Sequence, residues 1–126
     1  KNIKIKDIRV LILGVAFKGR PETDDIRLSP SLILADYLIS KKIKVFCYDN
    51  IVKKIDKKYN LKSNINLITQ KINVIIVMNN HHKNNHILYK ILRKFDKNIL
   101  VFDGWGEFEE LTTNSNITYS TMGYID

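Results

Sequence analysis

The chain has one cysteine, Cys47, and no second thiol to pair with it. That excludes an internal disulfide framework and any metal centre built from several thiolates. Glycine and proline are also scarce, at five and two residues, and they do not assemble into a phosphate-binding fingerprint. Gly14 is not followed by G-x-G-x-x-G. Gly14 and Gly19 have the four-residue gap of a P-loop, but Arg20-Pro21 stands where Lys-Ser/Thr is required. No apolar stretch approaches the roughly 20 residues that a membrane-crossing helix needs. The opening KNIKIKDIRVLILG alternates charge with aliphatics and has neither a signal-peptide core nor a small-residue cleavage site. The expectation is a cytoplasmic protein with no membrane partner.

What is present fits one domain across residues 1–126. Hydrophobic residues make up 44% of the chain and charged residues 27%, which is enough to build a core rather than a disordered tail. The formal charge is +8, a balance that favours anionic partners. Its lysines, however, are scattered (Lys41, Lys42, Lys44, Lys53, Lys54, Lys57, Lys58) and not interleaved with aromatics. No nucleic-acid partner is expected from that pattern.

Short apolar runs alternate with helical spacing. Ile8 to Gly14, Ile43 to Tyr48, Asn73 to Met78 and Asn98 to Phe102 read as strands by length and branched-aliphatic content. Ser29-Pro30 is a helix start: a serine N-cap, then proline where its missing N–H costs nothing. Leu32 to Ile39 continue that helix, and Ile87, Leu88, Ile91, Leu92 and Phe95 mark a second within Lys83 to Phe95. Ile51 to Tyr59 reads as a short charged helix, Asn64 to Thr69 as a short strand or turn, Glu107 to Leu111 as a helical turn and Asn116 to Ser120 as an edge strand. The fold class is α/β: a Rossmann-like open, mostly parallel sheet with helices on both faces, in a single domain. Ligands bind such sheets beyond the carboxyl ends of the strands. The segments to watch are therefore Gly14 to Leu28, Asp49 onward and Asp103 to Phe108.

In Leu13 to Pro30, a glycine ends a strand, Lys18 and Arg20 stand in the mouth of the sheet, and a helix begins nearby. Such a place suits a phosphate. The run Leu13-Gly14, Ala16-Phe17-Lys18, Asp24-Asp25-Ile26-Arg27 and Ser29-Pro30 resembles the signature opening the C-terminal domain of the UDP-glucose/GDP-mannose dehydrogenase family. Tyr48-Asp49, Phe102-Asp103-Gly104 and Tyr119 to Gly123 are similar to its later strand-end motifs. The variant Gly-Arg-Pro-Glu-Thr-Asp-Asp resembles the branch acting on UDP-N-acetylhexosamines such as UDP-N-acetylmannosamine. The resemblance implies half of an active site. Whole enzymes of this kind oxidise the C6 alcohol of a UDP-sugar or GDP-sugar to the uronic acid with NAD. The NAD is held mainly by an N-terminal domain, and a central dimerising segment carries the catalytic cysteine. The C-terminal domain covers the nucleotide sugar, with Phe17 and Lys18 on the substrate.

This chain departs from the pattern at two points. The Cys-Phe nucleophile is absent, so no catalytic residue is expected here and the chain alone is expected to be inactive. Cys47, inside a strand, reads as a buried structural thiol. Trp105 stands where many relatives have an arginine that contacts nucleotide, and it can stack on a base or pack against the sheet end. Asp25 and Arg27 can brace the loop as an ion pair or meet the substrate. Arg20 has its position in its favour. The substrate-binding candidates are thus Phe17, Lys18, Arg20, Arg27 and Trp105. His81, His82 and His86 read as a solvated helix start, with His81 or His82 at the rim and no metal expected. The rival reading is a free-standing regulatory or partner-binding α/β module.

Overall fold

A computed structural model of the chain describes residues 4–94, 98–113 and 116–121. Five strands form one sheet: β1 (Arg9–Leu13), β2 (Lys44–Tyr48), β3 (Val74–Val77), β4 (Ile99–Asp103) and β5 (Ile117–Thr121). Their order is β2-β1-β3-β4-β5, and every pairing is parallel. Helix α1 (Pro30–Ser40) connects β1 to β2, and α2 (Asn84–Lys94) connects β3 to β4.

The strands are continuously apolar because the two faces of the sheet take alternate residues and both are covered. Leu11, Leu13, Phe46, Ile75, Val77, Ile99 and Val101 point to one face, where Ile87, Leu88, Ile91 and Leu92 of α2 close over them. Val10, Ile12, Val45 and Cys47 point to the other, where Ala35 and the half-buried Leu32 and Leu38 of α1 pack. Cys47 is fully buried, as its position in the strand implied, and burial pushes its thiol up to about 12. Ser29 caps α1, its hydroxyl accepting the Leu32 N–H at 3.4 Å while donating to the Val15 carbonyl at 2.7 Å.

The segment from Ile51 to Tyr59 corrects the expectation of a charged helix. Only Lys57–Tyr59 forms a single 3-10 turn. The Ile51 and Val52 amides are taken by the Asp49 side chain at 2.7 and 2.8 Å, which fixes a turn at the start of the segment. At its end Asn60 is left-handed and Leu61 bridges Cys47, so the chain runs along the edge of β2 instead of coiling. Asn64 to Thr69 is likewise a turn, with a 3-10 stretch at Ile65–Leu67. The helical turn expected at Glu107 to Leu111 lies over Glu109–Thr113. Phe95 and Gly123, which figured in the helix and closing-motif readings, lie outside the described residues. No helix among the described residues is long and apolar enough to cross a membrane.

Candidate functional site at the carboxyl ends of the strands

The chain leaves β1 toward β2 and leaves β3 toward β4, so the sheet changes direction between β1 and β3. A crevice at that switch point is where parallel sheets receive ligands. Here the loops after β1 and β3 press directly on each other. Gly14 has φ +100, and a Cβ there would lie 2.5 Å from the Asn79 side chain. A Cβ on Gly19 would lie 2.0 Å from the His81 backbone nitrogen. Glycine is required at the first position by conformation and space, and at the second by space.

Two buried aspartates hold the strand-end loops. Asp49, just past β2, accepts the Val15 and Ala16 amides at 2.7 and 2.8 Å on one oxygen and the Ile51 and Val52 amides on the other. Asn79 donates to the same carboxylate at 3.3 Å and is itself gripped by Asn84, which in turn accepts from Asn50. Asp103, at the end of β4, accepts the Trp105, Gly106 and Phe108 amides and the Tyr119 hydroxyl, the last at 2.6 Å. Burial and that carboxylate together push the Tyr119 phenol upward. Such charge-assisted bonds to several amides are the strong ones.

The β1–α1 loop is pinned to the β3–α2 loop at two further points. The Gly19 amide donates to Asn80 Oδ1 at 3.0 Å, and Glu22 is in hydrogen-bond contact with His81 Nε2. His81 is 3% exposed, which corrects the expectation of a solvated histidine. Glu22 covers its ring on one side and His82 stacks on it at 4.5 Å. Glu22, His81 and His82 bring one ligand atom each within 4.8 Å of one another. The bonding pattern nevertheless fits a latch better than a metal centre. His81 Nδ1 accepts the Lys83 amide at 3.0 Å, so the ring proton belongs on Nε2, facing Glu22. Metal on Nε2 would require that proton to move to the nitrogen already facing an N–H donor.

The five predicted site residues divide. Arg20 lines a cavity of about 380 Å3 together with His81, His82, Asn85, Glu107, Phe108 and Glu110, so loops after β1, β3 and β4 all contribute. Arg20 Nη1 lies 3.4 Å from Glu107 Oε2, both in its lining. Glu110, on the same wall, accepts from the Tyr89 hydroxyl at 2.5 Å, and burial followed by that bond pushes Tyr89 up to about 12. Phe17 and Arg27 line a separate shallow groove with Asp25 and Leu28. Arg27 grips Asp25 through two side-chain bonds of 3.0 and 2.9 Å, the loop-bracing arrangement, and those bonds hold the Asp25 carboxyl down at about 2. Lys18 is half-buried, its Nζ 5.9 Å from the centre of the half-exposed Phe17 ring. Trp105 donates from its indole to the Met78 carbonyl at 3.0 Å but stays 47% exposed. The tryptophan is thus tied to the sheet end while part of its surface remains open.

Glu22, Glu107 and Asn79 complete the site and were not singled out from sequence, whereas His81 stood there as a rim residue and Asp49 and Asp103 in strand-end motifs. The two aspartates had a signal, an acid directly at a strand's carboxyl end. Glu22 and Glu107 had none, because their partners lie 59 and 87 residues away.

A parallel α/β domain with its cleft at the strand ends is the class that this fold and site define. The family model for the UDP-glucose/GDP-mannose dehydrogenase family, UDP binding domain, matches residues 11–110. The chain belongs to that family. Among solved structures it is similar to the UDP-N-acetyl-mannosamine dehydrogenase Cap5O from S. aureus, at 19% identity and a TM-score of 0.59 over 90% of this chain. At that identity the likeness shows the fold. The chain spans about a quarter of that protein's length, 26%. Comparison with curated protein sequences gives no match.

Proposed function

We propose that this chain supplies the nucleotide-sugar face of an NAD-dependent dehydrogenase that oxidises a UDP-sugar at C6 to the uronic acid. The single observation that carries the reading is the family match over residues 11–110, spanning the strand-end loops that bear Phe17, Lys18, Arg20 and Trp105. Lys18 and Phe17 meet the sugar or phosphate, Arg20 the diphosphate, and the exposed part of Trp105 offers a surface for a base. Arg27 acts through Asp25, holding the loop that presents Phe17, whose amide donates to the Asp25 carbonyl at 2.8 Å. NAD and the nucleophilic cysteine are supplied by the N-terminal and central parts of such an enzyme, in a cytoplasmic setting, for building sugar acids used in polysaccharides. The likeness to the UDP-N-acetyl-mannosamine enzyme and the Gly19–Asp25 sequence favour an N-acetylhexosamine as the sugar.

Calorimetric titration of the chain with UDP, GDP and UDP-sugars tests the reading. Binding of UDP over GDP supports it, whereas no heat at millimolar concentration of either would overturn it. Lys18→Ala is expected to weaken UDP-sugar binding about tenfold, the range of one charge-assisted contact. An unchanged affinity would remove Lys18 from the site.

A further inference from the structure

We propose that Glu107 is a resident counter-ion for Arg20, and that the phosphate of an incoming ligand binds by taking the place of its carboxylate. The inference rests on the reading of the cleft as a nucleotide-sugar site and deepens it by naming how the anion is received.

Arg20 bridges two strand-end loops. It rises from the loop after β1, yet its guanidinium reaches the segment after β4, meeting Glu107 two residues beyond Trp105. Arg20 therefore brings a guanidinium from the loop after β1 to the segment after β4.

The present partner of that guanidinium is weakly held. Both contacts between Arg20 and Glu107 measure 3.4 Å, beyond the 2.7–2.9 Å of a good charge-assisted bond. The side chains are 54% and 32% exposed, so water screens the pair. Both line the 380 Å3 cavity, which has room for a diphosphate between the loops. The diphosphate of a nucleotide sugar carries two negative charges against the single one of a carboxylate, and it too can meet the guanidinium fork with two parallel bonds. Exchange is favoured for that reason.

The neighbouring acids do not compete equally for Arg20. Glu22 is turned to His81, and Glu110 accepts from Tyr89. The imidazole of His82 is exposed at the rim, 4.0 Å from Glu22, and adds no negative charge. Glu107 is the carboxylate a phosphate must displace, and its charge opposes every anion that enters. Its removal should tighten anions and leave neutral ligands alone.

The experiment titrates the chain, Glu107→Gln, Arg20→Ala and the double variant with UDP, inorganic pyrophosphate and uridine at low salt. Both side chains are exposed at the surface, and circular dichroism confirms that each variant is folded. The expected result is a gain of about threefold to tenfold for UDP and pyrophosphate in Glu107→Gln, the scale of one screened charge. Uridine should not change. Arg20→Ala should weaken UDP about tenfold, and the double variant should match it, because the gain requires the guanidinium. UDP binding with equal affinity in all four proteins would overturn the exchange and leave the nucleotide reading standing. Equal gains for UDP and uridine in Glu107→Gln would also overturn it. Failure of every ligand in every protein would overturn the nucleotide reading, and the exchange with it.

Discussion

Asp49 is the residue whose loss should be felt most widely. Asp49→Ala strips four backbone amides of their acceptor: Val15 and Ala16 on one oxygen, Ile51 and Val52 on the other. Asn79 loses a fifth bond. Asp49 is 3% exposed, so water does not simply take over. Each buried donor left unpaired costs about 1–3 kcal/mol, which would give roughly 4–12 kcal/mol if the four amides were independent. They are not independent, and a bound water in the space left can serve two of them. The desolvation cost of the buried carboxylate also disappears with it. A net loss of about 3–5 kcal/mol follows, against a typical total stability of about 5–15 kcal/mol. Asp49→Asn keeps the shape and one acceptor oxygen but turns an NH2 toward two amides, and should lose about 2–3 kcal/mol. Urea unfolding followed by circular dichroism reads both variants. The order expected is wild type above Asn above Ala, at an unchanged slope. A loss below about 1 kcal/mol in Asp49→Ala would refute the reasoning, because it would mean the four amides find other partners freely.

The remaining predictions concern single groups. Gly19→Ala places a methyl 2.0 Å from the His81 nitrogen, backbone that cannot rotate aside, and should cost about 2–4 kcal/mol in thermal unfolding. A loss within about 0.5 kcal/mol, the range of a neutral surface change, would mean the two loops do not touch. Cys47 should be silent toward a thiol reagent at pH 8 in the folded chain and react once in strong denaturant. Burial raises its thiol from 9.0 to about 12, so between those values the unfolded chain ionises, the folded one does not, and stability falls as pH rises. Immediate labelling of the folded chain would contradict its placement. The Asp25 carboxyl is lowered from 3.8 to about 2 by Arg27, so the ion pair's support is complete above 3.8 and fades as pH falls through 2. An NMR titration should show that midpoint, and Arg27→Ala should return it toward 3.8.

Most of the fold could be read from the sequence, because strand and helix signals here are local. The apolar runs of β1 to β4 needed both faces covered, and Ser29-Pro30 fixed where α1 begins. The Ile51 to Tyr59 error has a tertiary cause. Its aliphatic spacing suits a helix, but Asp49 takes the first amides and the pairing of Leu61 with Cys47 draws out the end. The site was legible only in part. Lys18 and Arg20 stand out as cations at a strand end. The partners of Arg20 and His81 depend on how distant loops fold back on one another, which no local pattern encodes. His81 reads as solvated for that reason: Asn, His and Lys flank it in sequence, whereas Glu22, 59 residues away, meets it in space.

The loop between β1 and α1 has no regular secondary structure over some sixteen residues, yet its backbone is fastened at Val15, Ala16, Phe17 and Gly19, and its Glu22 side chain at His81. Freezing such a segment costs about 1–2 kcal/mol per residue, and here that cost falls on folding rather than on ligand capture. A visiting nucleotide meets a surface that has already lost its freedom. Its association should consequently carry a small entropic penalty and a heat signature little affected by loop ordering, unlike binding sites that condense around their guest.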